Sequence, residues 1–244
     1  AGGMGTRLTE YTQNIPKPLV TIGKVPILLH IINLYQKINV KDFYVLTGYK
    51  GKELVKYFSK SKSFELLSKN KQVQSFINKK IPFKVNLVNT GIKTKTGLRL
   101  NKIKKYISKD ENFFLTYGDG LTNVNLEETY NYHLKKKAHI TILAVRPPAR
   151  FGEIIFNGNR IKSFEEKNSI NTGWINGGFM IVNQNFFSYL SNKNQMLERE
   201  PFQSCIKKNK LYAYKYAGFW QCMDNLRDKI LLDKLANRKK IPWY

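Results

Sequence analysis

Gly2, Gly3 and Gly5 put three glycines within four residues, with Thr6 and Arg7 directly after them. Lys17 follows between Pro16 and Pro18. Glycines leave backbone N–H groups bare and able to turn toward an anion. An Arg and a Lys at fixed distances beyond such a loop can neutralise a triphosphate. A plain turn would explain the glycines alone. It would not explain the threonine, the arginine and the proline-caged lysine beside them.

Two carboxylates stand out further along. Asp119, in Tyr117-Gly118-Asp119-Gly120, directly follows an apolar run and so falls at the C-terminal end of a strand, where open α/β sheets bind ligands. An ordinary strand-to-loop turn would use the same residues. Asp224 precedes Asn225-Leu226-Arg227, where it would also serve as a helix N-cap. Two such carboxylates are what one octahedral Mg²⁺ wants, with phosphate oxygens in its other positions.

Three further stretches carry polar groups in suggestive places. Glu166-Lys167 sets a carboxylate beside an ammonium, which is also how a solvated charge cluster looks. Asn176, Gly177 and Gly178 interrupt an otherwise apolar strand, marking a bulge or a close approach of a ligand to the backbone. Thr94 to Arg99 opens a helix, a ready anion or base contact, although capping alone accounts for the threonines. His30, His133 and His139 have no ligand-like spacing and read as structural or surface residues.

These residues need elements to hold them. Residues 43–47, 85–88, 113–117 and 140–145 are short β-branched and aromatic runs that read as strands. Ile27, Ile31 and Leu34 share one face of a helix that Pro26 can start, and Leu126, Tyr130 and Leu134 do likewise. The alternation predicts an α/β fold with an open, doubly wound sheet. Residues 152–156 and 160–164, joined through Asn157-Gly158-Asn159, predict a hairpin and make the second half mixed rather than purely parallel. Residues 59–80 read as a peripheral excursion with a weak helical pattern around Leu66 and Leu67. The last helical pattern, 225–239, is expected at an edge or in a partner interface. A glycine loop needs a preceding strand to fix it at the sheet edge, so a strand ahead of Gly2 is expected.

Composition bounds the rest. The 244 residues suffice for one sizeable α/β domain, and 42% hydrophobic residues suit a folded chain. No apolar run approaches the ~20 residues that span a bilayer, so no membrane partner is expected. Cys205 and Cys222 suggest no disulfide framework, and a reducing cytoplasm is the expected compartment. The formal charge of +25 would suit a nucleic-acid binder. Yet only eight of the 42 basic residues are Arg, and the lysines are scattered. Diffuse lysine steers polyanionic substrates rather than reading bases, so no nucleic-acid partner is expected.

In order along the chain, G-G-M-G-T-R-L, P-K-P, residues 47–51, Thr94 to Arg99, Y-G-D-G, Arg146 to Gly152, F-E-E-K, W-I-N-G-G-F and G-F-W-Q-C-M-D-N-L-R-D-K resemble the sugar-1-phosphate nucleotidyltransferases. The last stretches and the segment 146–152 are similar to the cytidylyl-transferring members that act on glucose 1-phosphate. The resemblance implies a Rossmann-like fold in one domain spanning 1–244, with a mixed central sheet flanked by helices and a small β-hairpin near the substrate. It implies CTP and glucose 1-phosphate as partners, Mg²⁺ as cofactor, and a homo-oligomer. By that similarity Gly2, Gly3, Gly5, Thr6, Arg7 and Lys17 would bind the CTP phosphates, and Thr94, Arg99 and Gly118 would contact the nucleotide. Asp119 and Asp224 would hold Mg²⁺, while Glu166, Lys167, Asn176 and Gly178 would place the sugar phosphate. Arg7, Lys17 and Asp119 would then carry catalysis by charge neutralisation. Leu98 and Asn168 depart from the family pattern, where a glycine and a proline are usual. Transfer from UTP or dTTP is the nearest alternative, followed by a non-catalytic sugar-nucleotide-binding regulator of the same fold.

Overall fold

The computed structural model describes residues 3, 8–107, 109–147, 153–165 and 173–244. After the short helix α1 (Thr9–Thr12) come β1 (Thr21–Ile22), β2 (Val25–Pro26) and α2 (Ile27–Gln36). Next are β3 (Asp42–Thr47), α3 (Gly51–Lys60), β4 (Phe64–Lys69), β5 (Val73–Asn78) and β6 (Lys84–Asn89). Then follow α4 (Thr96–Ile103), β7 (Asn112–Thr116), β8 (Gly120–Thr122), α5 (Leu126–Lys136) and β9 (Ile140–Val145). The chain continues through β10 (Glu153–Asn157), β11 (Arg160–Glu165), β12 (Ile175–Asn183), α6 (Glu200–Lys207) and β13 (Leu211–Tyr216). It ends with β14 (Trp220–Cys222) and α7 (Leu226–Ala236).

The expected α/β class with mixed sheets holds, and among the described residues the longest ladders are two mixed four-stranded sheets. One sheet runs β3-β6-β5-β4, parallel only between β3 and β6. The other runs β13-β9-β12-β7, parallel only between β13 and β9. Among the described residues, β3 and β7 each lack a ladder partner on one edge. Both edges face a cavity of about 790 Å³ that Ile31 and Tyr35 of α2 and Leu100 and Ile103 of α4 also line. The expected 152–164 hairpin is present as β10 and β11, with Gly158 at φ +60° in its turn.

Two sequence expectations need correction. Residues 59–80 are not a loose excursion: β4 and β5 form a hairpin that extends the first sheet. Phe64 and Phe76 are buried there and pack on Phe58 of α3. The Asn70 side chain accepts the N–H groups of Gln72 and Val73 and so shapes the turn. The lysines and serines that masked this pattern lie on the open face. The stripe expected on α5 is also rotated, since Leu134 is 45% exposed while Thr129 and His133 are buried. His133 accepts the place of an apolar residue because Thr141 Oγ1 lies 2.9 Å from Nδ1 and Asn112 Oδ1 lies 3.1 Å from Nε2.

The last helix is only partly an edge element. Leu232 and Leu235 of α7 are buried against Ile22, Ile27 and Ile31, and beyond the helix Trp243 is fully buried. Trp243 stacks on Phe219 and meets the edge of His30. No described helix is long and apolar enough to cross a membrane.

Candidate active site

Lys17 begins a 3-10 turn, Lys17–Leu19, entered through Pro16 in extended conformation and stiffened by Pro18. Leu19 N–H donates to Pro16 O at 2.8 Å and Val20 N–H to Lys17 O at 3.0 Å. The turn aims the ammonium between two carboxylates. Lys17 Nζ lies 2.7 Å from Asp119 Oδ2 and 2.7 Å from Asp224 Oδ1. Burial works against its charge, but both carboxylates outweigh that, and the Lys17 pKa rises above its ordinary value.

Strand pairing explains why residues so distant in sequence meet. β8 and β14 pair antiparallel with Cys222 opposite Gly120, and Met223 N–H donates to Asp119 O at 2.8 Å. The sequence allowed Asp224 to be a helix cap. Instead Asn225 caps α7 in a capping box with Asp228, whose Oδ2 also accepts Asp224 N–H at 3.0 Å. That leaves the Asp224 carboxylate to Lys17.

The donor set fits a hard divalent cation. Two carboxylates converge on one point, and a cationic nitrogen already stands between them. Among the described residues no group of three or more His, Cys, Asp or Glu side chains gathers, so phosphate oxygens would complete the shell.

A second cavity, of about 970 Å³, opens on the other side of Asp119 and Asp224. Asn176, Gly177, Gly178, Trp220 and Arg227 line it, and Tyr117 borders both cavities. The glycines mark a real bulge, because the β12 register with β9 shifts between Asn176 and Met180. Trp220 Nε1 donates to Gly177 O at 2.8 Å. Gly178 has φ +78°, and a Cβ there would come within 3.0 Å of Tyr117 Cδ2, so only glycine suits the position.

Among the residues singled out from sequence, Lys17, Gly118, Asp119 and Asp224 come together with Gly3 along the first cavity. Asn176 and Gly178 lie in the second. Gly2, Gly5, Thr6, Arg7, Glu166 and Lys167 lie outside the described residues, as does the 148–152 part of the arginine-rich motif. Thr94 is engaged within its own loop, while Arg99 reaches back to β3. Thr94 Oγ1 donates to Thr90 O at 2.6 Å. The buried Arg99 guanidinium donates to Thr47 O at 3.0 Å, to Ile92 O at 3.3 Å and to Thr90 Oγ1. These side chains brace the backbone that borders the first cavity, and Arg99 lines the cavity as well.

Sequence reasoning missed Glu198 and the segment before it. Residues 191–198 form a strap along the start of α4. Lys95 N–H donates to Asn194 Oδ1 at 2.8 Å, Gly97 N–H to Gln195 O at 3.0 Å, and Leu197 N–H to Thr96 Oγ1 at 2.9 Å. A Cβ at Gly97 would lie 3.0 Å from Gln195 O, so the strap needs glycine there. Glu198 sits in the run Glu198-Arg199-Glu200, which looks like a solvated charge cluster in sequence. Cys222, also at the site, has its thiol pushed up to about 12 by burial and by Asp224, Asp228 and Asp119.

Comparison with known proteins places the chain. The family model described as nucleotidyl transferase matches residues 1–223. A glucose-1-phosphate cytidylyltransferase of Salmonella typhimurium is 37% identical over 250 aligned residues, covering 100% of this chain and 96% of that protein. A Bacillus subtilis protein described as a probable glucose-1-phosphate cytidylyltransferase is 38% identical, covering 99% of this chain and 96% of its own. In three dimensions a UDP-glucose pyrophosphorylase complexed with UDP-glucose superposes with a TM-score of 0.70 at 16% identity, covering 98% and 97% of the two chains.

Proposed function

The chain belongs to the nucleotidyl transferase family, and from that premise we propose that it condenses CTP with glucose 1-phosphate to give CDP-glucose and pyrophosphate. The observation that carries this reading is the placement of Asp119 and Asp224 on the boundary between two cavities, with Lys17 held between them. The nucleotide phosphates lie where Gly3 and Lys17 border the first cavity. The other takes the sugar phosphate beside Asn176 and Gly178. The reacting atoms then meet at the carboxylates.

A phosphate oxygen of glucose 1-phosphate forms a bond to the α-phosphorus of CTP while the bond from that phosphorus to the bridging oxygen breaks, and pyrophosphate leaves. The attacking oxygen is already anionic, so the site needs no strong general base. The work is positioning and charge neutralisation. Lys17 holds a half-buried positive charge ready for the phosphates, and its two proline neighbours keep it from straying. Arg7 and the glycine-loop amides take the leaving pyrophosphate. Asp119 and Asp224 would hold Mg²⁺, which supplies Lewis-acid polarisation of phosphate oxygens when bound. Tyr117 and the β12 bulge separate the two substrates and orient the sugar. We place the enzyme in the cytoplasm as a homo-oligomer.

The test is pyrophosphate release with Mg²⁺ and glucose 1-phosphate, offering CTP, UTP, dTTP, ATP and GTP separately. Release confined to CTP is the expected result. Preference for UTP or dTTP would keep the reaction and change the nucleotide. Tight CTP binding without release would make the chain a sugar-nucleotide-binding regulator.

A further inference from the structure

Glu198 borders neither cavity, yet its carboxylate ends a chain of hydrogen bonds that reaches into the second one. Tyr117 Oη donates to Glu198 Oε1, and Thr96 Oγ1 donates to Glu198 Oε2 at 3.1 Å. Both carboxylate oxygens are thus occupied by hydroxyl protons. Tyr117 is tied to the bulge that carries Asn176: its N–H donates to Gly178 O at 2.9 Å, and its ring packs so closely on Gly178 that a Cβ there would lie 3.0 Å from Cδ2. Asn176 Oδ1 in turn accepts Gly178 N–H at 2.8 Å.

From these contacts we propose that Glu198 is a positioning residue for the sugar phosphate. Acting through Tyr117, it fixes the bulge and with it the orientation of the Asn176 amide. Asn176 Oδ1 is held at Gly178, and the amide N–H groups are presented to the cavity as donors for a ligand oxygen. The bulge in β12 depends on the same chain, because Gly178 is anchored at its far end. Glu198 also joins the two halves of the site, since Thr96 opens α4 on the nucleotide side. The inference rests on reading the cavity beside Asn176 as the sugar-phosphate site.

The experiment compares Glu198→Ala, Glu198→Gln and Tyr117→Phe in the full chain. For Glu198→Ala and Tyr117→Phe, KM for glucose 1-phosphate should rise about tenfold, the scale of one net hydrogen bond, with KM for CTP moving less than twofold. Glu198→Gln should recover most of that rise, because its amide oxygen still accepts from Tyr117. Equal rises in both KM values, or no recovery by Gln, would overturn the proposal and leave Glu198 as part of the strap alone. A second readout needs no turnover: the side-chain amide ¹⁵N–¹H pair of Asn176, identified by its loss in Asn176→Asp. It should shift in Glu198→Ala and Tyr117→Phe and stay near its place in Glu198→Gln. An unmoved signal refutes the relay. A shifted signal in a chain that transfers no nucleotide would uphold the relay while removing the sugar-phosphate reading.

Discussion

Trp220 and Gly177 are joined by one hydrogen bond, the indole N–H to the carbonyl at 2.8 Å. That bond ties β14, which leads into Asp224, to the bulge that carries Asn176. The bond links the two walls of the second cavity directly. Trp220→Phe keeps the ring and removes the donor. KM for glucose 1-phosphate should rise about five- to tenfold with KM for CTP little changed, as steady-state kinetics with each substrate varied will show.

Asp119→Asn should lower kcat by ~10²-fold or more while circular dichroism stays native, the scale of a lost electrostatic stabiliser. Near-normal turnover would remove Asp119 from the reaction.

Lys17 occupies the place between the carboxylates where a divalent cation would sit. Without nucleotide, a metal must displace it and leave a half-buried ammonium unpaired. Lys17→Gln should therefore bind Mn²⁺ more tightly than wild type in the absence of CTP, by about tenfold, read from free Mn²⁺ by electron paramagnetic resonance. The same variant should show a raised KM for CTP. Equal Mn²⁺ affinity in both proteins would show that the lysine does not compete.

His133 is buried, and burial, with His139 nearby, lowers its pKa to about 4. The unfolded chain takes up this proton near the ordinary value of about 6.5, while the folded chain resists until about 4. Its contribution to stability is complete above pH 6.5 and lost as pH falls toward 4, on the order of 3 kcal/mol in all. His30 and His139 are lowered in the same direction. Melting temperature should fall between pH 7 and pH 5, and more gently in His133→Gln. A parallel pair of curves would show that His133 is not the group responsible.

Much of this was legible in the sequence because the informative residues obey local rules. Asp119 followed an apolar run and was bound to sit at a strand end. Asn157-Gly158 made its hairpin turn, and Pro26 opened α2. The pairing of Lys17 with both carboxylates was not legible, since it depends on the register of β8 against β14, about a hundred residues apart. The β4–β5 hairpin was hidden because the adjacent Leu66 and Leu67 suggested a helix although both are exposed, while the buried residues that anchor the hairpin are Phe64, Val73 and Phe76. Glu198 was hidden for the opposite reason. Charged neighbours made it look solvated, and only the fold turns Tyr117 toward it.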